Sequence, residues 1–255
     1  VFLAFEVGNT SVHCAAFDGE AQAAQCRMKT DPFQAPQSYA RDVAQALADA
    51  GIRSEDIRGA IVSSVVREMP DVLSRAVARQ WGVSIIVADA RMDFGLDIAV
   101  PRPEAVGIDR LLIAGEAYRL CDGAVVAVGL GTAVTVDLVE AGGRFPGGAI
   151  APGLRTALWA LHARTSLLPQ VELATPSGVV GQSTSDCIRA GVVYGTAGAV
   201  DRLVAEQQAL CSNVPQVVLT GGDAAFLSAC LRTPHQVAHD LALRGLAWVY
   251  RHNFR

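Results

Sequence analysis

Val128-Gly129-Leu130-Gly131-Thr132-Ala133-Val134-Thr135-Val136-Asp137 is the stretch on which the fold turns. An apolar strand, Ala124 to Val128, enters a Gly-x-Gly-Thr turn and leaves on a second strand that alternates Val134, Val136 and Leu138. Glycines at such a turn let backbone N–H groups approach an anion with no Cβ in the way, and they tolerate positive φ. The Thr132 hydroxyl adds a donor for a phosphate oxygen. The first residues repeat the pattern, with an apolar strand from Phe2 to Val7, then Gly8-Asn9-Thr10, then another strand. Either turn alone reads equally well as a β-hairpin with a glycine loop. Two of them at matching places predict two related halves facing one nucleotide.

Working outward, residues 1–30 read as three strands: Phe2–Val7, Val12–Phe17 and Ala23–Met28, with Asp18-Gly19 as a hairpin signal. A helix over Tyr39–Ala50, a strand over Ala60–Val66, a helix over Pro70–Gln80 and a strand over Val83–Ala88 follow. This β-β-β-α-β-α-β order is that of a ribonuclease-H-like domain. Residues 91–106 show no clear element and read as a loop crossing between halves. A helix begins around Gly107-Ile108-Asp109-Arg110. The order then repeats, with strands at Ala124–Val128, Ala133–Val139 and Arg144–Ile150 and a helix after Pro152-Gly153. A long helix follows from Thr184 to about Leu210, then a strand over Gln216–Leu219 ending in Thr220-Gly221-Gly222-Asp223. A short helix, a strand near Gln236–Ala238 and a helix over Leu241–Tyr250 close the chain. The expected fold class is α/β, a duplicated pair of ribonuclease-H-like domains, 1–114 and 115–255, with a nucleotide cleft between them.

Composition narrows the function. The 255 residues are 51% hydrophobic and 18% charged, which fits well-buried globular halves. A net charge of −4 without a basic cluster gives no support for a nucleic-acid partner. No apolar run is long enough to span a membrane, and no signal-peptide pattern precedes the first strand, so a cytoplasmic protein is expected. Cys14, Cys26, Cys121, Cys187, Cys211 and Cys230 are scattered, with no CxxC and no zinc spacing, and read as reduced core thiols. His13, alternating with Val12 and Cys14, reads as a satisfied or surface imidazole. The Walker A pattern is absent.

These residues carry two resemblances. The duplicated order with two phosphate turns, and Thr220-Gly221-Gly222-Asp223 as a third element making room for adenosine, resembles the actin/hexokinase/acetate-kinase superfamily. Along nearly its whole length the chain also resembles type III pantothenate kinases. Gly8-Asn9-Thr10 is similar to that family's first phosphate turn, Gly107-Ile108-Asp109-Arg110 to its pantothenate-binding Gly-x-Asp-Arg, and Gly131-Thr132-Ala133-x-Thr135-x-Asp137 to its second phosphate turn. Gly147-Gly148-Ala149-Ile150-x-Pro152-Gly153, Leu168-Pro169, Gly181-x-Ser183-Thr184 and Leu243-x-Gly245-Leu246 follow in the family's order. The resemblance implies ATP-dependent phosphorylation of pantothenate to 4′-phosphopantothenate, the first step of coenzyme A biosynthesis, by a homodimer. It implies Asp109 as the general base, with Val100, Gly107, Ile108, Asp109, Arg110 and Thr184 at the substrate. It places Glu6, Val7, Gly8, Asn9, Thr10, Ser11, Val12, His13, Gly131, Thr132, Gly221, Gly222 and Asp223 at the nucleotide. Mg²⁺ with ATP, and K⁺ or NH₄⁺ as an activating cation, belong to the same expectation.

Three positions depart from the family's pattern. Glu6 stands where the first turn usually has Asp, one methylene longer, which alters the geometry offered to Mg²⁺ through its waters. Gly129 replaces the Asp that helps hold the monovalent cation. Val100 lies where a substrate-contacting Tyr is common. From the residues alone, Asp109 and Arg110 read sooner as a helix cap and a surface cation than as a base and a substrate clamp. Two alternatives therefore stand beside pantothenate kinase: a kinase of another small hydroxylated acid, and a catalytically weak relative that binds nucleotide or pantothenate and acts through a partner.

Overall fold

The computed structural model describes residues 1–254, and the chain divides into two compact units. The first comprises residues 1–95 and 102–112 together with the segment from Leu241 onward. The second comprises Leu96–Pro101 and Ile113–Asp240.

In the first unit, β1 (Phe2–Val7), β2 (Ser11–Asp18) and β3 (Ala21–Lys29) form an antiparallel meander. Helix α1 (Pro36–Asp49), β4 (Gly59–Ser64), α2 (Met69–Trp81) and β5 (Ile85–Val87) follow, giving a sheet in the order β3-β2-β1-β4-β5. Strands β1, β4 and β5 run parallel. Leu3, Phe5 and Val7 alternate onto one face and are buried with Val43 and Leu47 of α1 and Val72, Leu73 and Val77 of α2. Helix α2 stops at Gly82, whose φ of 69° supplies the left-handed cap that its position predicts. The opposite face of β1 is covered by the last helix, α7 (Leu241–Asn253): Phe2 stacks on Tyr250 with ring centroids 4.4 Å apart. Gly59, the in-register neighbour of Phe2, makes that seat possible, because a Cβ there would lie 2.0 Å from the Tyr250 hydroxyl.

The second unit holds the short strand β6 (Asp97–Ile98) and the larger part of α3 (Ile108–Cys121). Strands β7 (Val125–Leu130), β8 (Ala133–Val139), β9 (Arg144–Phe145) and β10 (Gly147–Pro152) come next. They are followed by α4 (Leu154–Ala163), α5 (Thr184–Gln208), β11 (Gln216–Thr220), α6 (Ala224–Ser228) and β12 (Gln236–Val237). Its sheet runs β10-β8-β7-β11-β12, the first unit's order with each strand replaced by its equivalent. The antiparallel β7–β8–β10 meander is followed by parallel pairing of β7 with β11 and β11 with β12. The duplication expected from the two glycine turns is present. Val126, Val128, Val134 and Val136 pack against Leu154 and Leu158 of α4 and Ile188, Val193, Val200 and Val204 of α5. Ser183 caps α5, accepting from the Asp186 N–H at 3.2 Å while its hydroxyl donates to the Asp186 carboxylate at 2.7 Å.

Several expectations change. The boundary at 114/115 does not follow the contacts, because the Phe2–Tyr250 stack returns the last helix to the first unit. Residues 91–106 are not featureless: β6 pairs with β9, Asp97 opposite Arg144, and Pro103–Ala105 form a 3₁₀ turn. The strand expected over Arg144–Ile150 is two strands, β9 and β10, broken at Pro146, which lacks the N–H a ladder needs. Of the six free cysteines Cys14 is fully buried, Cys26, Cys211 and Cys230 pack partly buried against the two cores, and Cys187 is exposed, which removes it from the reading as core thiols. Cys14 faces Cys26 in register across β2 and β3. Burial pushes the Cys14 thiol well above its ordinary value, and the hydrogen bond between the pair holds Cys26 below its own.

Candidate active site

The first glycine turn is closed by the Gly8 N–H donating to the Ser11 carbonyl at 2.9 Å, and the Thr30 hydroxyl donates to the Gly8 carbonyl at 2.8 Å. Asn9 and Thr10 are exposed at its tip. Glu6 is half-buried on the strand leading in, its Oε1 3.9 Å from where a Cβ on Gly8 would stand. Pairing sets a polar row across the sheet: Ser63 on β4, Glu6 on β1, His13 on β2 and Arg27 on β3. His13 Nδ1 lies 4.0 Å from Glu6 Oε2, and its Nε2 is 3.1 Å from the Ser11 hydroxyl, to which Arg27 also donates at 3.2 Å. His13 is therefore a partner of the turn's acid. Val7 and Val12 are core residues beneath the turn.

The Gly107–Arg110 segment opens α3. Asp109 folds back so that its Oδ1 is 2.6 Å from the place a Cβ on Gly107 would take, which explains why glycine stands two residues before the acid. Among the described residues no hydrogen bond or ion pair engages the Asp109 carboxylate. Arg110 and Ile108 beside it are half-buried, and Arg110 does have a partner. A half-exposed carboxylate with uncommitted lone pairs suits a general base, whereas a structural cap would spend them on the helix.

In the second unit the Gly131 N–H donates to the Ala133 carbonyl at 3.0 Å, and Gly131-Thr132 turns the chain between β7 and β8, whose last in-register pair is Leu130 and Val134. Helix α4 is fastened to it: Thr132 O accepts from the Gly153 N–H at 3.0 Å and from the Thr156 hydroxyl at 2.6 Å. A Cβ on Gly153 would stand 2.0 Å from Gly131 O. The third turn packs on the same strand end. Gly221, at φ 101°, lies against the Leu130 carbonyl, which accepts from the Asp223 N–H at 3.2 Å. Gly222 is exposed, and Asp223 is only 8% exposed. Arg155, in the first turn of α4, brings its Nε to 3.4 Å from Asp223 Oδ1. Asp137 is 1% exposed, and Gly148 opposite it in register leaves the room its carboxylate needs.

Gly129 is not part of the turn. It is buried inside β7 between Thr135 and Thr220, its in-register neighbours on the two flanking strands. The second unit's equivalent of the Ser63–Glu6–His13–Arg27 row is thus Thr220–Gly129–Thr135–Ile150, with no charge in it. Nor does positive φ explain the phosphate-turn glycines, since Gly8, Gly131 and Gly222 have ordinary φ and of the turn glycines only Gly221 does not. Val100 is half-buried, its Cγ1 3.6 Å from where a Cβ on Gly147 would stand. Thr184, at the start of α5, lines an apolar groove of about 840 Å³ between α4 and α5, with Leu161, Ile188 and Gly195 among its walls.

Comparison with known proteins identifies the family. The sequence profile of the family described as type III pantothenate kinase matches residues 2–206. The type III pantothenate kinase of Geobacter sulfurreducens is 33% identical over 253 residues, 99% of each chain. That of Paramagnetospirillum magneticum is 33% identical over 254 residues, covering 99% of this chain and 98% of the relative. The chain belongs to the type III pantothenate kinase family. It is therefore a kinase of the family's α/β fold, using ATP and a divalent metal. Solved structures carry the fold further. A Sinorhizobium meliloti protein assigned as a 2-dehydro-3-deoxygalactonokinase aligns with TM-score 0.55 at 16% identity over 100% of this chain and 99% of that one. A Campylobacter jejuni protein assigned to the Baf family of transcriptional activators aligns with TM-score 0.57 at 20% identity over 98% of both chains.

Against the family's metal requirements the two rows differ. Among the described residues no three His, Cys, Asp or Glu side chains cluster as a metal cage. Glu6 supplies one carboxylate beside the first turn, which fits a Mg²⁺ that keeps most of its waters and takes other ligands from phosphates. The Gly129 row supplies only hydroxyls and carbonyls, a poor donor set for a bound cation because nothing neutralises the charge.

Proposed function

We infer that the protein phosphorylates pantothenate with ATP to give 4′-phosphopantothenate, entering coenzyme A synthesis as a cytoplasmic enzyme. The observation that carries this reading is the uncommitted Asp109 carboxylate, seated over Gly107 at the head of α3, in a chain matched to the family along its length. Asp109 accepts the proton of the primary hydroxyl as it attacks the γ-phosphorus, and Arg110 faces the substrate's carboxylate. Thr184, at the start of α5, is a further substrate contact in this reading. Backbone N–H groups and hydroxyls of Gly8–Thr10 and of Gly131–Thr132 are donors for nucleotide phosphates, and Gly221–Asp223 makes room for adenosine. Mg²⁺, held through water by Glu6, spreads the charge of the transferring group. With Val100 in place of an aromatic residue the substrate wall is smoother, so the direct test compares ADP formation with pantothenate against other small hydroxylated acids. Pantothenate is expected to give the highest kcat/KM. A different preferred acid would reassign the substrate and keep the kinase.

The reading extends to a homodimer through the second unit. Trp159 on α4 is 64% exposed and Leu167 92%, and the groove between α4 and α5 is apolar. Exposed apolar surface of this kind marks interaction sites. Sedimentation velocity at micromolar concentration is expected to give twice the chain mass, and a monomer with full activity would contradict it.

The uncharged Gly129 row predicts weak K⁺ or NH₄⁺ stimulation. A Cβ at Gly129 would meet only side-chain atoms, the Thr135 hydroxyl at 2.7 Å and Ile113 Cδ1 at 3.5 Å, and a Thr135 rotation clears the closer one. Gly129→Asp is therefore expected to fold and to introduce K⁺ dependence, while Glu6→Asp lowers the Mg²⁺ concentration needed for half-maximal rate. Initial rates against both ions read this out. Strong K⁺ activation of the unmodified protein would contradict the loss of the site. ATP binding without turnover in the wild type and both variants would favour the regulatory relative that Glu6 and Gly129 suggest.

A further inference from the structure

We propose that Arg155 is a phosphate-binding residue of the nucleotide site, held in position by Asp223. The proposal rests on the reading of Gly131–Thr132 and Gly221–Asp223 as nucleotide turns. Nothing in the motif pattern singles Arg155 out, and it reads as an ordinary exposed helix residue. Its place in the fold is not ordinary. The first turn of α4 is tied to the second glycine turn by the Gly153 N–H and Thr156 hydroxyl, both on Thr132 O. Gly153 allows a contact that any side chain would block. The third turn is tied to the same strand end through the Leu130 carbonyl. Arg155 spans the two, Nε 3.4 Å from Asp223 Oδ1.

The pair is asymmetric. The Asp223 side chain is 11% exposed and that of Arg155 71%. A nearly buried carboxylate whose one ion-pair partner sits at 3.4 Å is under-satisfied, since it offers about four lone-pair sites. The guanidinium has five N–H donors, and its nearest approach to Asp223 is through Nε, at 3.4 Å. None of its N–H groups makes a hydrogen bond to the protein among the described residues. An exposed Arg ordinarily gains little from a surface ion pair and loses side-chain entropy in making it. A buried acid orienting an otherwise unspent guanidinium fork between two glycine turns is a different arrangement, and a flat fork matches phosphate oxygens two at a time. Arg155 thus acts on the charge of the nucleotide, and Asp223 is its positioning residue.

The test is equilibrium binding of ATP, ADP and adenosine to full-length wild type, Arg155→Ala, Arg155→Lys and Asp223→Asn, with steady-state kinetics alongside. Arg155→Ala is expected to weaken ATP and ADP about 10-fold and adenosine less than about 2-fold. KM for ATP rises, while KM for pantothenate and kcat move little. Arg155→Lys restores part of the ATP affinity, keeping the charge and losing the fork. Asp223→Asn weakens ATP in the same direction by freeing the guanidinium. Wild-type ATP affinity in Arg155→Ala, or equal loss of ATP and adenosine, overturns the assignment and leaves the kinase reading standing. Failure of the wild type to bind ATP overturns both.

Discussion

Asp109→Asn is expected to lower kcat by about 10²–10⁴ while ATP affinity and thermal stability stay at wild-type values. The substitution keeps the volume and planar shape of the side chain, so the space left by Gly107 still accepts it. No hydrogen bond or ion pair is lost, because none engages the carboxylate among the described residues. The stability change should stay within about 0.5 kcal/mol, as for surface substitutions that break nothing. What is lost is the ability to take a proton from the attacking hydroxyl. Steady-state rates, ATP binding and a melting curve on the same preparation separate the effects. Wild-type turnover would make Asp109 a helix-start residue with no chemical role, and a collapse in stability would make it a structural one.

Gly153→Ala is expected to do the reverse, damaging the second unit before any chemistry. Its Cβ would stand 2.0 Å from Gly131 O and 2.7 Å from Thr132 O, both backbone atoms with no rotamer to escape into. Either α4 lifts off the turn, giving up the bonds from the Gly153 N–H and Thr156 hydroxyl to Thr132 O, or the hairpin loop deforms. Overpacking of this kind costs about 1–3 kcal/mol, roughly 2–10 °C in melting temperature at this chain length. ATP affinity should fall with it, since the displaced backbone is the phosphate turn. Gly131→Ala is the control: a Cβ there meets nothing within 4 Å and φ is ordinary. It should melt like the wild type. The idea that α4 is clamped to the turn fails if both variants melt alike.

That contrast marks what the sequence could and could not say. Strand and helix positions were legible because their periods are clean: Leu3, Phe5 and Val7 alternate, and Val128, Val134 and Val136 flank a glycine hairpin. Pro146 was legible as a residue and still missed as a strand break, because the breaker sits within an otherwise continuous apolar pattern. The domain boundary was not legible, since the stack of Tyr250 on Phe2 joins residues at opposite ends of the chain. At the site, Asp109 and the three turns could be found by their local patterns. The reasons for the glycines could not: Gly107, Gly148 and Gly153 each yield to an atom elsewhere in the fold. Arg155 and the Glu6–His13–Arg27 row depend on which residues pairing and packing bring side by side.

The most direct measurement is the product itself. Wild type and Asp109→Asn are incubated with ATP, Mg²⁺ and pantothenate, and phosphorus NMR follows ATP, ADP and any new phosphomonoester. Wild type is predicted to form one phosphomonoester of pantothenate for each ADP released, and Asp109→Asn to form none above background over the same interval. A wild-type protein that binds ATP and pantothenate yet releases ADP with no phosphomonoester, or leaves both substrates unchanged, would contradict the assignment of this chain as a working pantothenate kinase.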